Sequence, residues 1–248
     1  MALSGYGATG TDILSRAFSG WPDKGPRPFF YSCWMNWGAY NGNTGVLQIA
    51  NSASPTVQPR IGLRNQGGAS SWLFADSGNS AGNSFAVTYT ATTGSWIHHL
   101  AFMNNEFGRE VYLDGVLKGS NYTGTPSTQT INTLHVGYGI GGALPAASSI
   151  AEVLIATGIP TSSQIASLAA GANPLAVLPS SQIICYFPLR SDAVDLSPNS
   201  PSNLVSSGSL SAAAIAPGSA KWVTHPTINA APSGAGPVIR QPLVCIIS

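Results

Sequence analysis

Charge is what this sequence has least of. Only 8% of its 248 residues are Asp, Glu, Lys or Arg, against roughly 25% in an average soluble protein. The net charge is +1 and like charges form no run. That excludes the basic patch which nucleic-acid or anionic-membrane binding needs, so neither partner is expected. No apolar run approaches the roughly 20 residues of a transmembrane helix. The start, MALSGYGATGTDILSR, has no basic stretch leading into an apolar one, so no signal peptide is expected and folding is assigned to a cytoplasm. Cys33, Cys185 and Cys245 are too few and too scattered for a zinc site or a disulfide framework. Cys33 and Cys185 lie in apolar runs and read as buried thiols. No metal or other cofactor is expected.

What is present is β-structure punctuated by Gly, Asn, Ser and Pro. The length suits one large domain with its own core. Runs that read as strands are FFYSCWMNW (29–37), VLQIA (46–50), VQPRIGLRN (57–65), SWLFAD (71–76), SFAVTYTA (84–91), WIHHLAFM (96–103), REVYLDGVLKG (109–119), TLHVGYG (133–139), SIAEVLIA (149–156) and SQIICYFPL (181–189). Strands at this spacing predict an antiparallel sandwich. One helix interrupts them. In IPTSSQIASLAAGANP, Thr161 and Gln164 form a capping box, Ile165, Leu168 and Ala169 an apolar stripe, and Gly171 with Pro174 a stop. Such a helix is expected at the sandwich edge.

The stretch SWIHHLAFMNNEFGREVYLDGVLKGS (95–120) gathers two histidines, two glutamates and an aspartate. Alternation puts Trp96, His98, Leu100 and Phe102 on one face and Ile97, His99, Ala101 and Met103 on the other. Adjacent histidines then point to opposite sides and cannot chelate one ion together. Asp114-Gly115 is a two-residue hairpin signal that wants positive φ at both positions, and Glu106 falls at a loop tip. The stretch reads as scaffold.

Other motif matches fail on context. GYGIGG (137–142) follows a strand, but no helix or well-placed acid follows it, as a dinucleotide site requires. GNSAG (78–82) is followed by a strand rather than the helix of a nucleophile elbow. Glycoside hydrolysis needs two carboxylates about 5–5.5 Å apart for retention. Glu106, Glu110 and Glu152 are the only glutamates and do not alternate along one strand. Asp192 and Asp195 offer a weak calcium pair, better read as turn capping. Among the tryptophans, Trp34 and Trp96 read as core, and Trp72 is the candidate glycan or interface contact.

The order of several pieces resembles a known family. W-x-H-H-x-A-F, then R-x-V-Y-L-D-G-V, LHVGYG, IAEVLIA, the T-x-x-Q-I-x-x-L helix and CYFPLRSDAVDL resemble the laminin-G-like, concanavalin-A-like jelly rolls encoded among tailed-phage virion genes. The resemblance spans roughly residues 12 to 228, closing at THP in KWVTHPTI. It implies one all-β jelly-roll domain over 1–228 with one short helix, in which Glu152 is a structural acid, followed by a C-terminal extension over 229–248. That extension ends in PVIRQPLVCIIS, apolar and β-prone. Either its own sheet covers it, or Val238, Ile239, Leu243, Val244, Cys245, Ile246 and Ile247 make an intersubunit contact by strand addition.

The resemblance implies a non-enzymatic virion protein, most plausibly one that decorates and stabilises a capsid. Its partners would be the major capsid protein and further copies of itself, a trimer among the options. It would sit on the capsid surface of a virion built in the host cytoplasm. The alternative is a receptor-recognition module on a phage tail or fibre, binding cell-surface glycan. An enzyme acting on glycans would need turnover that depends on Glu106, Glu110 or Glu152.

Overall fold

A computed structural model describes residues 3–4, 13–17, 28–36, 44–50, 60–65, 71–76, 84–88, 95–103, 109–122, 133–136, 138–139, 142–143, 149–189, 195–198, 204–207 and 211–212. In chain order the strands are β1 (Leu3–Ser4), β2 (Ile13–Ala17), β3 (Phe29–Asn36), β4 (Thr44–Ala50), β5 (Arg60–Asn65), β6 (Ser71–Asp76), β7 (Ser84–Thr88), β8 (Trp96–Met103) and β9 (Arg109–Leu113). They continue with β10 (Val116–Asn121), β11 (Thr133–Val136), β12 (Tyr138–Gly139), β13 (Gly142–Ala143), β14 (Ser149–Thr157), β15 (Ile183–Phe187), β16 (Val205–Ser207) and β17 (Ser211–Ala212). Two helices, α1 (Ser162–Ala169) and α2 (Pro174–Val177), and a 3-10 turn at Ser180–Gln182 lie between β14 and β15.

The strands form an antiparallel sandwich. One sheet runs β10-β9-β8-β3-β14-β1-β17, with β15 also on β14; the other runs β16-β2-β11-β4-β5-β6-β7. Both sheets take strands from the two ends of the described chain, so neither is a purely local meander. GYGIGG, far from opening a helix, contributes β12 and β13, which pair Tyr138 with Ala143 and Gly139 with Gly142. GNSAG lies in the connection between the paired strands β6 and β7, itself outside the described residues.

The expected two-faced alternation of β3 is present, but it does not sort buried from exposed. Phe29 to Met35 are all buried, and so are Ser149 to Ala156 of β14. The reason is a third layer. Phe30, Leu100, Phe102, Leu154, Ala156 and Tyr186 form one cluster with Ile165 and Leu168 of α1 and with Leu178. The helix therefore covers the face of the first sheet, over its central strands, and not the sandwich edge where the sequence placed it. Its small apolar stripe finds its largest complementary surface there. Its start is as read: Thr161 Oγ1 accepts from the Gln164 amide at 3.2 Å, and the Gln164 side chain accepts from the Thr161 amide at 2.9 Å.

The opposite face of the same sheet builds the inter-sheet core. Phe29, Tyr31, Cys33, Met35, Val153, Ile155, Cys185 and Phe187 are fully or almost fully buried, as are Leu47, Leu134 and Val136 of the second sheet. Cys33 and Cys185 are buried free thiols, and burial pushes both well above the ordinary thiol range. The extension over 229–248, with Val238, Ile239, Leu243, Val244, Cys245, Ile246 and Ile247, lies outside the described residues.

Candidate functional site

The stretch carrying His98, His99, Glu110 and Asp114 folds as β8, β9 and β10. Asp114 and Gly115 both take positive φ, 48° and 77°, as a type I′ hairpin requires. Asp114 also ties the hairpin down. Its Oδ1 accepts from the His98 amide at 2.9 Å, and its own amide donates to the His98 carbonyl at 2.9 Å. A Cβ on Gly115 would come within 3.2 Å of Ala169 Cβ, so the turn packs directly beneath α1. The aspartate is a fastener of the hairpin.

His98 and His99 do part to opposite faces, but both faces are covered. His98 lies under the helical layer with its ring centroid 5.3 Å from that of Trp34. His99 is fully buried. Burial pushes both imidazoles down to about 3, the neighbouring His98 adding to the shift at His99. His135 in β11 is likewise buried and lowered to about 4 by desolvation. Three neutral rings at neutral pH are poor general acids and are held as packing elements.

Glu152 is the residue whose setting the sequence least reveals. It stands mid-strand with φ +54°, where β14 changes partner from β1 at Ile150 to β15 at Val153. Its amide donates to the Pro188 carbonyl at 3.1 Å, and its carboxylate accepts from Tyr186 Oη. A side chain in the left-handed region costs about 1–3 kcal/mol and persists only where its surroundings over-determine it. Here the two hydrogen bonds do so. Beside it, Ser32, Trp34, His98, Leu168 and Gly171 help to line a cavity of about 10 Å³, close to the least that can hold one water. Glu152 is thus a buried acid engaged by Tyr186.

Asp195 is engaged by protein donors. Its Oδ1 accepts from the amides of Tyr186 at 3.0 Å and Ser197 at 2.9 Å, and its other oxygen pairs with the Arg16 guanidinium. That guanidinium lies 5.8 Å from the centroid of the Phe187 ring. The ion pair joins β2 of one sheet to the segment after β15 of the other. Asp192, the other half of the suggested calcium pair, lies outside the described residues, as does Glu106. Among the described residues, no three His, Cys, Asp or Glu side chains group as a metal site.

Glu110 is the most accessible of the described glutamates. Tyr112 Oη donates to its Oε2 at 2.5 Å, and Tyr122 Oη donates to its Oε1. Alternation in REVYL puts Glu110 and Tyr112 on one face, but Tyr122 meets Glu110 only across the irregular β9–β10 pairing, which shifts register between Leu117 and Gly119. Trp72 occupies the β6 position paired with Asn65 and Val87; its side chain lies outside the described set.

The Laminin_G_3 family model, described as the concanavalin A-like lectin/glucanases superfamily, matches residues 20–166, more than half of the sequence. The chain belongs to this superfamily. Among solved structures in which the superfamily's sandwich recurs, a "putative carbohydrate binding protein" from Bacteroides ovatus aligns with TM-score 0.59 and 14% identity over 86% of this chain and 60% of its own. The chain thus spans 60% of that protein's length. A heptameric SAP-like pentraxin from Limulus polyphemus aligns with TM-score 0.53 and 12% identity, over 85% of this chain and 92% of its own. The binding domain of botulinum neurotoxin serotype D gives TM-score 0.50 at 14% identity, over 67% and 42%. At these identities the likeness is one of fold. No curated protein matches the sequence.

Proposed function

We propose that this chain is a non-enzymatic carbohydrate-binding domain. The observation that carries the reading is the engagement of four acids among the described residues. Glu110 accepts from two tyrosines, Asp114 fastens a turn, Glu152 accepts from Tyr186 and Asp195 pairs with Arg16. A glycosidase needs one carboxyl to protonate the leaving group and a second to act as base or nucleophile. Each of these four instead serves as an acceptor in a structural contact. Binding without turnover is the function that the superfamily's sandwich can perform with such residues, and the Bacteroides ovatus protein is named for carbohydrate binding. Fold alone does not assign function, so the acids carry the argument.

The setting on a phage tail or fibre, where the glycan would be a cell-surface receptor, belongs to this proposal and rests on the sequence resemblance alone. The capsid-decoration role has no support from the fold or from the comparisons, and the receptor-type alternative is the better supported of the two. The test is a glycan array with calorimetry on the hits, alongside a reducing-sugar assay on the same glycans. Saturable binding with no product supports the reading. Product release lost on changing Glu110 or Glu152 refutes it.

A further inference from the structure

Among the described residues, apolar exposure is concentrated in one place. Of the five large hydrophobic side chains exposed among the described residues, Val116, Leu117 and Tyr122 belong to the β9–β10 hairpin or its immediate end, while Ile159 and Leu196 stand apart. β10 is the outermost strand of its sheet. Register places Leu117 opposite Tyr112 and Ser120 opposite Glu110. After the shift between Leu117 and Gly119, alternation returns Tyr122 to the face of Ser120 and Glu110. One strip of surface therefore carries Leu117, Tyr112, Glu110, Ser120 and Tyr122.

The chemistry of that strip is two-sided. Tyr122 is 53% exposed, yet its hydroxyl is held by Glu110 and bonded to Ser120. The ring is thus fixed in orientation without being buried, which removes the rotamer entropy that binding would otherwise cost. Tyr112 packs one side against the core cluster and donates to the same carboxylate. A carboxylate has about four lone-pair positions. The two tyrosines fill two, leaving acceptor capacity for donors from outside.

We propose that this strip is a saccharide subsite in which the ring of Tyr122, flanked by Tyr112 and Leu117, receives the C–H face of a neutral sugar while Glu110 accepts its hydroxyls. This deepens the carbohydrate-binding reading and rests on it. A sugar ring presents an apolar face and donor hydroxyls together, and a ring held beside a carboxylate with acceptor positions remaining matches both. The carboxylate also sets the class: an acidic sugar would bring a like charge to Glu110, so neutral glycans are selected.

The experiment uses the full chain on an array of neutral and acidic glycans, with Kd values measured for the hits. Tyr122→Ala and Glu110→Gln are the variants, and Ile159→Ala, exposed elsewhere, is the control. Both variants are expected to weaken neutral-glycan binding at least tenfold with unchanged circular dichroism, while the control binds like the parent. Tyr122 is exposed, so its truncation leaves the fold intact; Glu110→Gln provides a second route should it not. Parent-like binding by both variants overturns the subsite and leaves the carbohydrate reading standing. Binding of acidic glycans alone also overturns it. An absence of any glycan binding by the parent overturns both. Concentration-dependent self-association that Tyr122→Ala abolishes, with glycan binding unchanged, identifies the strip as a contact between copies and refutes the proposal.

Discussion

Acid should weaken this protein well before its carboxylates are titrated. His98 and His99 are buried and their imidazoles sit near 3, against an ordinary value of 6.5. Between those values the unfolded chain binds two protons that the folded chain refuses, so stability rises with pH across that window. Above about 6.5 the full stability is present; it drains as pH falls and goes on draining until about 3. From pH 7 to pH 5 each ring removes about 2 kcal/mol, and the pair about 4 kcal/mol. His135, lowered to about 4, acts in the same direction. A domain of ordinary stability, about 5–15 kcal/mol, would lose a large share. Urea unfolding followed by tryptophan fluorescence at pH 7, 6 and 5 measures this directly. His99→Leu, which keeps an apolar side chain in the core, should remove about half of the pair's pH dependence. A change below about 1 kcal/mol between pH 7 and pH 5 would refute the reasoning, as would ring titrations near 6 by NMR.

Two further perturbations probe the frame that holds the hairpin and the sheets together. Asp195→Ala strands a buried guanidinium and removes the acceptor for two amides, so a loss of about 3–5 kcal/mol is expected in urea unfolding. The double change Arg16→Met with Asp195→Leu should cost clearly less, and an equal cost would mean the charge is not what matters. Gly115→Ala forces a Cβ into the left-handed region and against Ala169. About 1–2 kcal/mol should be lost, and an unchanged or raised melting temperature would contradict the packing described for the turn.

Local features were legible in the sequence, and long-range ones were not. The Asp114-Gly115 turn, the Thr161–Gln164 capping box, the parting of His98 from His99 and the buried thiols at Cys33 and Cys185 are each written within a few neighbouring residues, and each was read there. The sandwich followed from strand spacing and family resemblance. Three things escaped. The short strands β1, β2, β16 and β17 carry too few residues to show a period and exist because partners far along the chain complete them. The helix was placed at the edge because a strand buried on both faces looks locally like one buried on a single face. Glu152 gave no sign of its positive φ, which arises where β14 changes partner. Of the candidate subsite, Glu110 was noticed only as one of three glutamates. Tyr112 shares its strand face by simple alternation, whereas Tyr122 depends on an irregular register that composition does not encode.

The Arg16–Asp195 pair has a consequence for how the protein is made. The two residues are separated by 179 positions. At roughly 5–20 residues per second, translation of that interval takes about 9–36 s. Throughout it, β2 carries a charge destined for the interior with no counterion in existence, and the sheets cannot be clasped. Closure is therefore a late event, and a ribosome that stalls before Asp195 emerges displays two open β-surfaces for as long as it waits. Synthesis of this molecule should lean on whatever shields nascent strands in the cell that makes it.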